Sequence, residues 1–199
     1  VAFLIIGSLL GSYFVITNGI LIAIILGFAV LSIYFYSTKI VDSGLGEFFV
    51  AVKGSMIVIG TVFIQSGEIT FESILAGIIV GSLSSLVLFI ASFPDHDADK
   101  SKGRKTLVIV VGKQNAVKLF WIFPLISYCA ILIGVALELF PIISLISFVG
   151  IPLMIKSGFG LMKNYDSVDE LFPYMSSTLM FSRVTGVLFV ISFLIPLLQ

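Results

Sequence analysis

Apolar stretches approaching 20 residues recur along the whole of this 199-residue chain, with only short polar breaks between them. Each is long enough to cross a bilayer's hydrocarbon core, about 30 Å thick. The backbone finds no water there, so such segments must be helices or strands of a closed barrel. The runs are continuous in Leu, Ile, Val and Phe, without the alternation of a barrel strand, and this selects helices. Composition agrees. Hydrophobic residues make up 59% of the chain and charged residues 11%, where soluble domains carry roughly 25% charged residues; mean hydropathy is +1.21. The expected fold is all-α, a polytopic transmembrane helical bundle with no soluble domain.

Seven spans are expected, at about 1–16, 19–36, 47–65, 71–93, 115–137, 140–162 and 173–198. The breaks carry turn chemistry, as in Thr17-Asn18-Gly19, Ser66-Gly67-Glu68 and Glu138-Leu139-Phe140-Pro141. Connections on one side are short; those on the other, 37–46, 94–114 and 163–172, are longer. Lys39, Lys100, Lys102, Arg104, Lys105, Lys113, Lys118 and Lys163 fall on the long-loop side, whereas the short-loop side holds Glu68, Glu72 and Glu138. By the positive-inside rule the long loops face the cytoplasm. Val1 opens within an apolar run that no basic segment precedes, unlike a signal peptide, so the chain is read as a piece whose earlier helices are absent. The single cysteine, Cys129, sits in an apolar run and founds neither a disulfide framework nor a thiolate metal site.

Polar chemistry concentrates directly after the fourth span, in Phe93-Pro94-Asp95-His96-Asp97-Ala98-Asp99-Lys100-Ser101-Lys102-Gly103-Arg104-Lys105-Thr106-Leu107. Pro94 marks a kink or restart of the helix. Asp95 and Asp99 are four apart and share one helical face, with Asp97 turned elsewhere. Two carboxylates on one face repel each other unless a cation lies between them. Such oxygen ligands suit Mg²⁺, which binds through a few carboxylates plus substrate phosphates; the plainer alternative is a solvated acidic cap. Lys100, Lys102, Arg104 and Lys105 can neutralise a diphosphate or simply meet anionic lipid headgroups. Gly103 is placed for a tight turn that returns the loop to the membrane.

Charges inside spans are costly and therefore functional by default. Lys53 either reaches a phosphate in a polar cavity or snorkels to the headgroups. Arg183, near Ser177, Ser182 and Thr185, is expected to face the bundle interior. His96, the only histidine, reads as a loop residue. Most of the 19 phenylalanines are expected to pack or to face lipid.

The run from Asp95 through Thr106-Leu107 to Val111-Gly112-Lys113 resembles the second aspartate-rich motif of UbiA-type intramembrane prenyltransferases. In that family the pattern is Asp-x-x-x-Asp, a nearby Gly, Thr-Leu, and a Gly opening the next helix. Tyr36-Ser37-Thr38, Gly44-Leu45-Gly46-Glu47 and the Gln65-Ser66-Gly67 turn resemble the branch that prenylates 1,4-dihydroxy-2-naphthoate. The resemblance covers essentially the whole chain in helix order. It implies a nine-helix fold around a central cavity, of which residues 1–199 form a single domain lacking its first two helices. The first aspartate-rich motif, absent here, is then expected upstream of Val1. The implied activity is Mg²⁺-dependent transfer of a polyprenyl group from an isoprenyl diphosphate to an aromatic quinone precursor, as in menaquinone biosynthesis. Asp95 and Asp99 are the implied catalytic pair, with Asp97 as a third metal ligand. Lys102, Arg104, Lys53 and Tyr36 are the implied diphosphate contacts, although Tyr36 and Lys39 stand three apart where many members have four. The expected setting is the cell membrane, with the active site toward the cytoplasm and neither nucleic acid nor an obligatory protein partner. The alternatives are prenyl transfer to a glycerol-phosphate lipid, a chlorophyll-like ring or haem, and a membrane transporter.

Overall fold

A computed structural model describes residues 2–35 and 44–195. The expected helical bundle is what it contains, and no strand occurs among the described residues. Helices α1 (Ala2–Asn18) and α2 (Ile20–Phe35) form a hairpin about Gly19. Then come α3 (Gly46–Ser66), α4 (Phe71–Ala91), and the short α5 (His96–Ser101), α6 (Leu107–Val111) and α7 (Lys113–Leu119). The chain continues through α8 (Ile122–Ala136), a 3₁₀ segment (Ile142–Gly150), α9 (Ile151–Asn164) and α10 (Val168–Leu194). Five stretches are long and apolar enough to cross a membrane: 46–66, 71–91, 113–136, 142–164 and 168–194; two shorter apolar helices precede them. Together they match the seven expected spans.

The differences in span boundaries trace to proline and to local capping. Pro124 cannot donate to the carbonyl of Phe120, and the helix of the fifth span is interrupted there between α7 and α8. Pro152 likewise withholds a donor from Phe148, at the junction where 3₁₀ geometry gives way to α9. The last helix begins at Val168, five residues before the expected start at Pro173. Asp169 and Glu170 in its first turn favour the positive helix end, and Leu171 anchors that turn in the core at 1% exposure.

The closest helix contact is the seam between α3 and α4. Gly77-Ile78-Ile79-Val80-Gly81 is a small-xxx-small motif of the kind that lets membrane helices approach backbone to backbone. A Cβ on Gly81 would overlap the Ala51 carbonyl oxygen, and one on Gly54 would lie 2.9 Å from the Gly81 Cα. The Ser55 hydroxyl donates across the seam to the Gly77 carbonyl at 2.9 Å, and Ser85 donates to the Glu47 carbonyl at 2.7 Å. On its other flank α4 packs against α8, where Ser82 donates to the Phe123 carbonyl at 2.7 Å. Helix α10 covers α9, the 3₁₀ segment and part of α4. Rings of Phe140, Phe189 and Phe193 interlock edge to face within that packing.

Candidate active site

The longer connections gather at one end of the bundle. Gly44, just before α3, lies against the Lys105 carbonyl and the Val110 side chain. Lys113 Nζ, at the start of α7, stands 3.9 Å from Asp166 in the α9–α10 turn. The acidic and basic motif therefore shares its end of the molecule with the Gly44–Glu47 segment.

Within the motif, α4 ends at Ala91, a turn carries the chain through Pro94, and α5 begins at His96. This is the restart that Pro94 foretold. The Asp99 amide donates to the Asp95 carbonyl at 2.8 Å, so the two carboxylates stand one helical turn apart on a common face. Asp95, at the N-cap position, is exposed and makes no capping bond with its side chain. Asp99 is held back toward the chain: Arg104 Nη1 donates to its Oδ1 at 2.9 Å, and its side chain is only 13% exposed. Gly103, at φ +77°, makes the reversal that brings Arg104 into position, a conformation open to glycine at little cost. Asp97 turns away from this face to pair with His96 Nδ1 at 2.7 Å and is 87% exposed. That hydrogen bond, aided by the Lys113 charge, holds the Asp97 carboxyl below the ordinary carboxylate range. Among the described residues, no three His, Cys, Asp or Glu side chains gather into a metal-binding cluster.

Lys102 and Lys105 are exposed beside Arg104, as expected of residues in a cationic loop. Lys53 is exposed in a separate small crevice of about 200 Å³, bordered by Ser32 and Ile33 of α2 and Phe49 and Val50 of α3. Tyr36 lies outside the described residues. Arg183 departs from expectation. Phe181 and Thr185 take the buried face of α10, and Arg183 projects from an exposed one.

An apolar cavity of about 520 Å³ is walled by α3, α4 and α8 and extends to Leu107, the last residue of the motif and the first of α6. Its lining includes Phe48, Met56, Ile78, Phe123 and Ile126. One wall residue drew no role from the sequence: Glu47, which is 4% exposed, with both carboxylate oxygens unpartnered among the described residues. An acidic residue in the first turn of a helix ordinarily answers the helix dipole, so nothing in its position announced burial.

The geometry is thus a loop of carboxylates and cations whose last residue, Leu107, lines a greasy chamber. Compared with known proteins, residues 1–195 match the UbiA prenyltransferase family. The chain belongs to that family. It is 30% identical over 157 residues to the 1,4-dihydroxy-2-naphthoate octaprenyltransferase of Escherichia coli (strain K12), a match covering 74% of this chain and 48% of that protein. It is 37% identical over 75 residues to the protein of the same name from Bacillus subtilis (strain 168), covering 37% of this chain and 24% of that one. At most, then, the chain spans about half the length of the curated relatives it matches. No solved structure matches it.

Proposed function

We propose that this UbiA-family chain forms part of an enzyme that transfers a polyprenyl group from an isoprenyl diphosphate to a hydroxylated aromatic quinone precursor, with 1,4-dihydroxy-2-naphthoate as the acceptor. The observation that carries the reading is the Asp95–Asp99 face at the start of α5, in a loop whose last residue, Leu107, lines the apolar cavity. The names of both relatives support the acceptor. The carboxylate pair suits Mg²⁺, a hard cation that takes one or two carboxylates and leaves its other positions to water and phosphate oxygens. Asp95 and Asp99 would hold it, and when bound it supplies charge neutralisation for the departing diphosphate. Asp97, already paired with His96, would contribute through the local negative field.

The chain's own residues do the remainder. Arg104, with Lys102 beside it, presents cations to the diphosphate at the mouth of the cavity. Arg104 also fixes the Asp99 carboxylate in place through its hydrogen bond. The cavity walls exclude water from the allylic carbon while the C–O bond to diphosphate breaks and a ring carbon forms the new C–C bond, that carbon then losing its proton or, where it bears the carboxylate, CO2. The product stays dissolved in the membrane from which the prenyl chain came.

The test uses the full-length protein in membranes with Mg²⁺, a prenyl diphosphate and the naphthoate, and detects product by mass spectrometry. Asp95→Asn and Asp99→Asn should each lower turnover by at least about a hundredfold, as expected when charge stabilisation is removed from a departing diphosphate. Undiminished transfer in either variant would refute the site. A product built on a different acceptor would keep the reaction and replace the ring.

A further inference from the structure

Glu47 is the one ionisable residue named in the cavity wall, and the proposed reaction has not used it. Its carboxylate is buried at 4% exposure; the backbone amides of Glu47 itself and of Leu107 approach it, but neither oxygen has a partner in full hydrogen-bond geometry among the described residues. Burial of a carboxylate without partners is among the costliest arrangements a fold can contain. The dipole of α3 does not account for it, because the side chain makes no capping bond and Leu45 occupies the N-cap.

The surrounding hydroxyls cannot satisfy it. Ser55 donates its proton to the Gly77 and Ala51 carbonyls, Ser82 to the Phe123 carbonyl, and Ser85 to the Glu47 carbonyl itself. These three serines share the cavity wall with Glu47, and the rest of the wall is apolar. The chamber therefore offers a guest one strong acceptor and no free side-chain donor among its lining. A carboxylate accepts only, and a protonated carboxyl still keeps an accepting carbonyl oxygen, so the guest that complements it carries an O–H or N–H on an otherwise apolar body. At about 520 Å³ the space lies within the range of small-molecule pockets, and Phe48 and Phe123 supply faces for a flat ring.

We infer that Glu47 binds the acceptor by taking a hydrogen bond from a ring hydroxyl, and so orients the ring within the cavity. This rests on the reading of the acceptor as a hydroxylated aromatic. It adds the point at which this chain distinguishes such a ring from an apolar one of the same shape. A hydrogen bond to a charged group changes affinity by about tenfold to a hundredfold. A site built around such a bond also discriminates against the analogue that lacks the hydroxyl.

The experiment measures binding of two probes, 1-naphthol and 1-methoxynaphthalene, to the full-length protein in nanodiscs by their own fluorescence. The wild type should prefer the naphthol by at least about tenfold. Glu47→Ala should bring the ratio close to one, and Glu47→Gln, whose amide oxygen still accepts, should fall between. Melting temperature should stay level or rise in both variants, because an unpartnered buried charge has been removed. In turnover, Glu47→Gln should raise KM for the acceptor and leave KM for the prenyl diphosphate unchanged. A naphthol preference that survives in both variants would overturn the assignment. So would a fall of several degrees in melting temperature in both, which would mean that the fold itself pairs the carboxylate. Binding is read without turnover, so a wild type that prefers naphthol yet prenylates no ring refutes the proposed reaction and leaves the Glu47 site standing.

Discussion

Arg104 shows how one side chain can serve both the shape of a site and its charge. It ties down Asp99 through a 2.9 Å hydrogen bond while remaining open to solvent and to any anion that arrives. An ion pair this exposed contributes at most about 1 kcal/mol to folding, so its value lies in positioning. Arg104→Ala should leave the melting temperature nearly unchanged and raise KM for the prenyl diphosphate about tenfold, the scale of one charge-assisted bond; thermal unfolding and steady-state kinetics in membranes check the two parts. At this scale the sequence was informative where spacing dictates direction. The four-residue interval put Asp95 and Asp99 on one face and turned Asp97 away, and φ +77° at Gly103 provides the reversal its position suggested. Burial was not legible in the same way. Glu47 reads as an ordinary first-turn acid, and only tertiary packing, with Ser85 of α4 and Leu107 of α6 against it, closes it off from water. Arg183 was misplaced for the same reason: polar neighbours at 177, 182 and 185 lie on more than one side of α10, and Thr185 rather than Arg183 takes the buried side.

Among the elements, α3 and α4 depend on each other most directly. Their seam is lined by glycine and serine, and its distances leave no room for a methyl group at position 81. Gly81→Ala should cost about 1–3 kcal/mol, the usual range for overpacking a close contact, and should lower the melting temperature in detergent or nanodiscs. Gly7→Ala, where nothing lies within 4 Å, is the control and should leave it unchanged. The Gly77–Gly81 spacing is visible in the sequence, yet apolar runs contain many glycines and nothing local says which of them face a partner. Span positions were legible because hydrocarbon thickness sets helix length. The breaks at Pro124 and Pro152 and the early start of α10 were harder to see, because capping and tertiary packing fix helix ends more finely than hydropathy does.

For the molecule as a whole, the asymmetry of charge predicts which way the bundle sits. In a Cys129→Ala background, since Cys129 is itself exposed, a cysteine introduced at Ser101 should react with a membrane-impermeant maleimide only in inside-out vesicles. One introduced at Glu68, in the α3–α4 turn, should react only in right-side-out vesicles. The reverse pattern would put the carboxylate loop on the outer face and contradict the positive-inside reading. The clustering of the long connections at one end, through Gly44, Lys105, Lys113 and Asp166, gives this asymmetry its structural counterpart.

The backbone-tight seam between α3 and α4 also limits how the protein could come to accept bulkier rings. Two sides of the chamber are welded together and cannot spread without separating the helices that form them. Room must come from the third side, where Phe123 and Ile126 of α8 present side chains that can be trimmed one at a time. Variants with broadened acceptor choice, whether selected or engineered, should therefore accumulate on α8 and leave the glycines of the seam untouched.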